Sequence, residues 1–242
     1  MMNNVMIISG AGLSAESGIR TFRDSDGLWE DYDVMEVCST QGWNNDREKV
    51  TRFYNARRKD LHDKVPNKAH CTLAALEQQF PGRIMHLTQN VDNLLERAGC
   101  REVIHLHGTL TDLRCEECGH VWDIGYEAQH EYDACPRCES SAVRHNVVMF
   151  GESAPEYRHI YDAIASCELF VAIGTSGQVI DIVTIAQEFE HSLLINPKRE
   201  EYVTAFGSFE KNIDDFFEHF IQKKASQAAD EMAAFITQFL QR

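Results

Sequence analysis

"GAGLSAESGIRTFRDSDGLW" occupies residues 10–29 and directly follows the apolar run "VMIIS" of residues 5–9. A short apolar run that ends in glycines predicts a buried strand, followed by a tight turn and a helix start. Gly10, Gly12 and Ala15 match the spacing G-x-G-x-x-G/A, which places backbone N–H groups around the phosphates of a dinucleotide. From this spacing alone, a turn that binds no ligand is an equally good interpretation.

Predicted strands and helices alternate along most of the chain. The predicted strands cover residues 4–10, 83–90, 102–108, 168–177 and 192–196, and the predicted helices cover 46–62, 68–80, 91–99, 179–190 and 211–242. This alternation indicates an α/β protein with a Rossmann-like parallel sheet and helices on both of its faces. The glycine-rich loop, "TQN", "HG" and "GTSG" each follow a predicted strand, so we expect a ligand site at the carboxyl edge of the sheet.

Length and charge narrow the classes of protein. A chain of 242 residues is long enough for one large core, or for a core and a small second unit. The net charge of −15 argues against binding to nucleic acid backbones, so we expect no direct nucleic acid partner. No apolar run approaches the ~20 residues of a membrane span, and the N-terminus lacks a secretory pattern. We therefore predict a cytoplasmic protein without a membrane partner.

Four of the eight cysteines form two C-x-x-C pairs, Cys115 with Cys118 and Cys135 with Cys138, separated by sixteen residues. This spacing is typical of a zinc ribbon, in which four thiolates surround one structural metal ion. Spacing alone leaves iron as an alternative to zinc. Because the cysteine segment interrupts the strand–helix alternation, we predict an inserted module at residues 112–148. The Rossmann-like domain would then comprise residues 1–111 and 149–242.

A series of motifs resembles the sirtuin family of NAD-dependent protein-lysine deacylases in both type and order. These are "GAGLSAESGIRTFR", "TQNVDNLLERAG", "VIHLHGTL", the two cysteine pairs, "VVMFGE", "APEY", "GTSG" and "IN", and together they cover about residues 5–196. The resemblance implies that the acyl oxygen of a modified lysine attacks the nicotinamide ribose of NAD and expels nicotinamide. The products would be O-acyl-ADP-ribose and free lysine. NAD is then a consumed co-substrate, and acyl-lysine proteins or peptides are the partners.

The same resemblance implies catalytic roles for His107, Asn90 and Asp92. His107 would draw a proton from the ribose hydroxyls, while Asn90 and Asp92 would polarise the nicotinamide amide and hold a water. From the residues alone, His86 and His105 are equal candidates for the base, and "QNVD" is a reasonable polar helix cap. The resemblance selects His107 because the family's catalytic histidine directly precedes this glycine.

Binding residues also follow from the resemblance. Those implied for NAD are Gly10, Ala11, Gly12, Ser14, Phe22, Arg23, Trp29, Gln89, Asn90, Asp92, Gly174, Thr175, Ser176 and Asn196. Val147, Phe150 and Gly151 of "VVMFGE" would pair with the substrate peptide as an added strand. From the residues alone, this segment is equally a plain core strand.

Tyr54 and Arg57 lie three residues apart in the helical segment "FYNARR", hence on one face. A guanidinium beside a phenol suits a carboxylate, and the sirtuin branch that prefers succinyl- and malonyl-lysine is similar here. We expect deacetylation alongside these activities. Without the family, the simpler interpretation is a solvated arginine and a tyrosine packed in the core. Cys38 stands where that branch has alanine.

Two departures from the sirtuin pattern fall on the adenosine side. Ile180 and Asp181 follow "GTSGQV" where relatives commonly have Tyr-Pro, and Asn196 lacks the usual Leu-Glu after it. They keep open the alternative of a sensor that holds NAD or ADP-ribose without turnover. A mono-ADP-ribosyltransferase is a further alternative. A hydride-transferring enzyme is disfavoured, because no second strand with a ribose-binding acid follows the first motif.

Overall fold

A computed structural model describes residues 3–19, 28–29, 32–204 and 207–242, with side chains described throughout except at 28, 29, 204 and 207–210. Its strands are β1 (Val5–Ser9), β2 (Leu28–Trp29), β3 (Tyr32–Asp33), β4 (Ile84–Thr88), β5 (Val103–His105), β6 (Gly108–Cys115), β7 (Val121–Asp123), β8 (Val143–Val147), β9 (Leu169–Ile173), β10 (His191–Ile195), β11 (Glu201–Thr204), β12 (Gly207–Asn212) and β13 (His219–Ile221). Its α-helices are α1 (Val34–Val37), α2 (Thr40–Asn45), α3 (Arg47–His62), α4 (Lys68–Gln79), α5 (Leu94–Ala98), α6 (Arg158–Ser166), α7 (Ile182–Ala186) and α8 (Ala225–Leu240). Short 3-10 helices occupy Ala11–Leu13, Ala15–Ser17, Pro155–Tyr157 and Ile213–Phe216.

The main sheet has six parallel strands in the order β13-β10-β9-β1-β4-β5. Every residue of β1 and of β9 is buried, as expected for central strands that are covered on both faces. The chain runs outward from β1 through β4 to β5, and then returns to the other side of β1 to form β9. The strand order therefore reverses between β1 and β9, and ligands of such sheets bind at that point.

Helices cover both faces of this sheet and create two separate cores. On one face, Leu73 of α4 and Met232 of α8 pack against the β1 side chains Val5 and Ile7. On the other face, Ile160 of α6 and Val183 of α7 pack against the side chains of Met6 and Ile8 in the same strand. The predicted α/β class with helices on both faces is therefore confirmed.

A second, antiparallel sheet contains β7, β6 and β8 in that order and carries the four cysteines. It has a small apolar cluster of its own, formed by Leu113, Cys115, Cys135 and Val143. The cluster is far smaller than the two cores of the main sheet. This unit matches the small zinc-ribbon-like module that the cysteine spacing predicts.

The prediction of one long C-terminal helix over 211–242 was wrong for its first part. The chain leaves β12, passes a 3-10 helix and forms the edge strand β13, and α8 begins only at Ala225. The backbone of Leu193–Ile195 pairs with His219–Ile221, and Ile221 is buried in the core. Short apolar runs do not distinguish a strand from a buried helical segment, which explains the error. The hairpin of β11 and β12 was also not predicted.

The predicted helix 179–190 is shorter in the structure, where α7 covers only Ile182–Ala186. Asp181 is its N-cap, and its carboxylate accepts hydrogen bonds from the backbone N–H groups of Val183 and Thr184. Among the described residues, none of the helices combines the length and hydrophobicity that crossing a bilayer requires.

Candidate active site

Three glycines allow the loops after β1 and β9 to touch. The N–H groups of Gly10 and Gly12 donate to the carbonyl oxygens of Ile173 and Gly174, each at 2.9 Å. A Cβ atom on Gly12 would lie 2.6 Å from the Cα of Gly174, and one on Gly174 would lie 2.5 Å from Leu13 N. Gly174 also has φ +61°, which side chains rarely adopt. The glycine spacing therefore serves loop–loop packing at the strand-order switch.

Polar side chains tie together the loops that follow β4, β9 and β10. The side-chain amide of Gln89 donates to Thr175 Oγ1 at 2.9 Å, and that of Asn196 donates to the Thr175 carbonyl at 2.8 Å. Asn196 and Thr175 are buried, while Gln89 is half-buried. Ser176 accepts a long 3.4 Å hydrogen bond from the Gln178 N–H. These residues are thus brought together at the predicted carboxyl edge.

A buried hydroxyl joins the first loop to the "QNVD" turn. Ser14 is fully buried, and its Oγ accepts from Asn90 Nδ2 at 3.2 Å and contacts His70 Nε2 at 3.3 Å. Because His70 Nδ1 accepts from the Asn67 N–H, the proton of the neutral ring lies on Nε2 and points at Ser14. The Ser14 hydroxyl in turn donates to Asp92. Sequence reasoning missed His70, because no spacing links it to Ser14.

The carboxyl group of Asp92 is buried. Burial raises the pKa of Asp92, although hydrogen bonds from the Leu94 N–H and the Ser14 hydroxyl act in the opposite direction. The side-chain amide of Asn90 also donates a hydrogen bond to the Gly10 carbonyl at 3.1 Å. Both predicted residues therefore face the first loop, and Asp92 also caps the short helix α5 through Leu94.

His107 has its ring fixed by two hydrogen bonds. Nδ1 lies 3.0 Å from the carbonyl of Gln89, and Nε2 lies 2.8 Å from the Tyr157 hydroxyl. A carbonyl can only accept, so the proton of the neutral ring lies on Nδ1 and Nε2 carries the lone pair. Burial lowers the pKa of His107, while the Gln89 carbonyl acts to raise it. The ring is therefore neutral at pH 7 and has a basic nitrogen.

The two competing histidines are occupied elsewhere. His86 is buried beneath the sheet edge with Nε2 3.3 Å from a carboxylate oxygen of Glu77. His105 donates from Nδ1 to the Asn90 carbonyl at 2.9 Å, and its Nε2 lies 2.6 Å from Glu96. Burial acts to lower the pKa of His105, but the Glu96 carboxylate, together with the Asn90 carbonyl and Asp92, acts to raise it, and the pKa is raised. His86 is 2% exposed and both nitrogens of His105 are hydrogen-bonded, so neither ring presents an accessible basic nitrogen at the edge of the sheet.

The predicted acyl-binding pair occupies one helix, α3, but in two different environments. Tyr54 is buried, its hydroxyl lies 3.5 Å from Cys38 Sγ, and its ring stacks on His145 at 3.7 Å. Burial raises the pKa of Tyr54 well above its usual value. Arg57 is half-buried, with its guanidinium carbon 5.8 Å from the Phe53 ring centroid. The tyrosine is thus a packed residue whose hydroxyl points at the thiol.

Part of the backbone of the "VVMFGE" segment is already hydrogen-bonded within the protein. Val147 is buried, and its carbonyl accepts from Arg144 at 3.0 Å. The N–H of Phe150 donates to the Cys38 carbonyl at 2.8 Å, and the Phe150 carbonyl accepts from the Thr40 N–H at 3.0 Å. A further strand therefore cannot use those two Phe150 groups without displacing them. Phe150 is 43% exposed, and Gly151 is exposed.

The four predicted metal ligands converge. Cys115 Sγ lies 3.6 Å from Cys138 Sγ, and Cys118 Sγ lies 3.7 Å from Cys135 Sγ. All four sulfur atoms lie within 4.8 Å of one another. Zinc–sulfur bonds of about 2.3 Å in a tetrahedron separate the sulfurs by about 3.8 Å. The set therefore fits a four-thiolate zinc site in which no coordination position remains open to water.

Three predicted NAD-binding residues are not described in full. Phe22 and Arg23 lie outside the described residues, and only the backbone of Trp29 is described, paired with Tyr32 in the β2–β3 hairpin. Ala11 begins the first 3-10 helix, where its carbonyl accepts from the Ser14 N–H at 3.1 Å.

The family model described as "Sir2 family" matches residues 10–181, well over half of the chain. The chain belongs to the Sir2 family. A relative from Campylobacter jejuni, named NAD-dependent protein deacylase, is 44% identical over 241 residues, covering 99% of this chain and 98% of the relative. A relative with the same name from Helicobacter hepaticus is 39% identical over 256 residues, covering 98% of this chain and 99% of the relative.

Solved Sir2 structures share the fold. A Sir2 homologue in complex with ADP-ribose superposes with a TM-score of 0.82 at 32% identity, covering 99% of this chain and 94% of the homologue. A Sir2 homologue in complex with NAD gives a TM-score of 0.81 at 32% identity, covering 99% and 91% of the two chains. The Sir2 fold assignment therefore rests on both sequence and structure.

Proposed function

We propose that this Sir2 protein is an NAD-dependent protein-lysine deacylase that removes succinyl and malonyl groups, and acetyl groups as well. One observation carries the proposal. His107 is held neutral at the carboxyl edge of the main sheet, with its Nδ1–H on the Gln89 carbonyl of the "QNVD" turn and its basic Nε2 beside the Tyr157 hydroxyl. The names of the relatives and the complexes of Sir2 homologues with NAD and ADP-ribose support the choice of co-substrate.

NAD supplies the ribose carbon whose bond to nicotinamide is replaced by a bond to the acyl oxygen. In the proposal, Asn90 and Asp92 orient the nicotinamide amide, and Gln89 binds ribose hydroxyls. The first loop, Gly10 to Ser14, faces the phosphates and Arg23 reaches them, while Phe22 covers the reacting ribose and Trp29 is a further NAD-binding residue. On the adenosine side, the proposed contacts are Gly174, Thr175, Ser176 and Asn196.

His107 performs the proton transfer in this proposal. Its Nε2 accepts a proton from a ribose hydroxyl, while its Nδ1–H remains on the Gln89 carbonyl. A base must be unprotonated before the reaction, and burial favours that state by lowering the pKa of His107. A positive charge develops on the ring during this step, and the Gln89 carbonyl dipole stabilises it.

For the acyl end, Arg57 is the proposed carboxylate ligand. A guanidinium binds a carboxylate with two parallel hydrogen bonds, and partial burial strengthens the interaction. Tyr54 would contribute its hydroxyl only after turning away from Cys38, so we assign it to shaping the pocket wall until an acyl group binds. We assign the backbone of Gly151 and the exposed Phe150 ring to the peptide, with Val147 behind them.

The remaining assignments concern the whole chain. We propose that Cys115, Cys118, Cys135 and Cys138 hold a structural zinc in a module of residues 112–148, inserted between the NAD-binding segments 1–111 and 149–242. The convergence of the four sulfurs supports the metal site. Acylated proteins are the proposed partners, and the need for reduced thiolates favours a cytoplasmic location.

The test is a panel of acetyl-, malonyl- and succinyl-lysine peptides incubated with NAD, with nicotinamide and peptide mass measured. We expect loss of the acyl mass together with release of one nicotinamide per turnover. Arg57→Met should lower kcat/KM for the two acidic acyl groups by about 10- to 100-fold, the loss of one charged contact, and leave acetyl turnover within a few-fold. Arg52→Met is the matched control, because Arg52 lies on the same helix and pairs with exposed Glu48.

Two results would contradict the proposal. An equal loss of kcat/KM for all three acyl groups in Arg57→Met would show that Arg57 does not bind the acyl carboxylate. No turnover of any peptide, with NAD binding retained by calorimetry, would favour the sensor, whereas label transfer from NAD to a protein would favour ADP-ribosyl transfer.

A further inference from the structure

Tyr157 makes a direct contact with the proposed catalytic base. It ends the 3-10 helix Pro155–Tyr157, immediately before α6, and its hydroxyl lies 2.8 Å from His107 Nε2. The two rings are tilted by 45° with centroids 5.8 Å apart, so the contact runs through the hydroxyl rather than through stacking. Nothing in the sequence motifs distinguishes this tyrosine from a packing residue.

The direction of this hydrogen bond follows from the opposite side of the imidazole. Because Nδ1 donates to the Gln89 carbonyl, the neutral ring has its lone pair on Nε2. The Tyr157 hydroxyl must therefore donate, and Nε2 accepts. Burial raises the pKa of Tyr157, so the phenol keeps the proton that it donates.

Tyr157 is held in place independently of His107. Its N–H donates to the Ala154 carbonyl at 3.1 Å, Pro155 fixes the turn, and its ring packs against the apolar core beneath α6. Its ring is only partly buried, so the hydroxyl lies at the margin of the site. The donor is thus preorganised on a rigid element, and its hydroxyl takes the same nitrogen that a ribose hydroxyl must reach.

We propose that Tyr157 is a positioning residue that holds His107 in its Nδ1–H form and covers Nε2 until a ribose hydroxyl replaces it. The inference rests on the proposed function, in which Nε2 is the base. In the unliganded protein, the Tyr157 hydroxyl occupies the position that the substrate hydroxyl takes, so the base enters each reaction cycle already in its required form. Binding exchanges one O–H donor for another, and the imidazole does not rotate.

A hydrogen bond donated to the neutral form of a base disfavours its protonation. Burial lowers the pKa of His107 and the Gln89 carbonyl acts to raise it, and among the described residues no charged side chain contributes to this shift. The groups that face the ring are the Gln89 carbonyl, from the loop after β4, and the Tyr157 hydroxyl. Removing the hydroxyl therefore raises the pKa of His107.

The experiment is a ¹⁵N NMR titration of His107 in the unliganded, zinc-loaded protein, which needs no turnover. We expect Tyr157→Phe, which keeps the ring, to raise the pKa of His107 by up to about one unit, the worth of one neutral hydrogen bond. Tyr161→Phe is the control, because Tyr161 lies on α6 and is 73% exposed. The wild-type ¹⁵N shifts should show protonated Nδ1 and unprotonated Nε2 above the pKa.

Saturating ADP-ribose should make the wild-type and Tyr157→Phe titrations converge, since its ribose hydroxyl replaces the phenol. Equal pKa values in the two unliganded proteins would overturn the inference, as would a wild-type ring protonated on Nε2. If the difference in His107 pKa between the two proteins persists unchanged with ADP-ribose bound, the ribose hydroxyl does not replace the Tyr157 hydroxyl, and that part of the inference is overturned. Failure of the proposed function would instead appear as a lack of deacylation with this NMR difference intact.

Discussion

The two polar centres of this protein are built in opposite ways. The four cysteines lie on two short turns within 24 residues of one another, and their sulfurs converge around one point. The candidate active site, in contrast, takes Ser14, Asn90, His107, Tyr157 and Thr175 from five separate segments at the edge of the main sheet. The first centre is specified locally, whereas the second exists only once the sheet has formed.

This difference has an energetic counterpart. The cysteine module buries a small apolar cluster, so we expect its order to depend on the metal. The active-site edge is held by two large cores and by backbone contacts between glycines. Metal binding should therefore control the module, while the chemistry depends on single side chains at the edge, and each can be perturbed without the other.

The largest expected effect separates chemistry from folding. His107→Ala should lower deacylation by about 10³-fold, within the range for loss of a general base, because the reaction loses its proposed proton acceptor. Zinc content and the circular dichroism spectrum should stay at wild-type values. His130→Ala is the control, since His130 is exposed within the module. Turnover within a few-fold of wild type would remove His107 from its proposed role.

The second prediction concerns the cysteine centre, which loses one of its four metal ligands. Cys118→Ser should abolish stoichiometric zinc and speed amide hydrogen exchange in β6 and β8 by about tenfold or more, because the module loses its metal. Exchange in β1 and β9 should remain slow. Cys71→Ser, which changes an exposed cysteine outside the module, should leave zinc and exchange unchanged. Equal acceleration in both sheets would show that the two centres are not independent.

The smallest effect concerns the seam where the module packs on the main body. His145 of β8 is completely buried, stacks on Tyr54 of α3, and has no hydrogen bond to its nitrogens within the described residues. Burial, aided by Arg144, lowers the pKa of His145 well below 6.5. The unfolded chain therefore binds this proton near pH 6.5 and the folded chain does not, so stability is lost as the pH falls below 6.5.

Urea unfolding at several pH values tests this linkage. Each such histidine contributes at most about 1.4 kcal/mol per pH unit to the acid loss of unfolding free energy. Between pH 6.5 and 5, His145→Phe should reduce the slope of unfolding free energy against pH by up to about 1.4 kcal/mol per pH unit. His62→Phe, at an exposed position, should leave this slope unchanged. Parallel curves for His145→Phe and the wild type would mean that the ring is protonated in the folded protein.

Sequence patterns predicted the parts of the molecule whose signals are local. The apolar runs of β1, β4 and β9, the helices α3 and α4, and the cysteine module all follow from periodicity or spacing. The edge strand β13 was misread as helix, because burial of Ile221 depends on its pairing with β10 rather than on its neighbours in the chain.

The candidate site was predictable only through the family resemblance. Three histidines were equivalent in the sequence, and the tertiary partners of His86 and His105 distinguish them from His107. The contacts of His70 with Ser14 and of Tyr157 with His107 join residues more than forty positions apart, which no local pattern encodes. The structure also assigns the glycines to loop packing, a role that the motif spacing does not reveal.

The most direct measurement is a crystal structure with an unreactive NAD analogue and a succinyl-lysine peptide. A hydroxyl of the nicotinamide-side ribose should lie within hydrogen-bond distance, about 3 Å, of His107 Nε2. Asn90 and Asp92 should contact the nicotinamide amide, and Tyr157 should have released the imidazole. A nucleotide bound away from the β1–β9 switch, or an imidazole still bonded to Tyr157 with the ribose out of reach, would contradict the account.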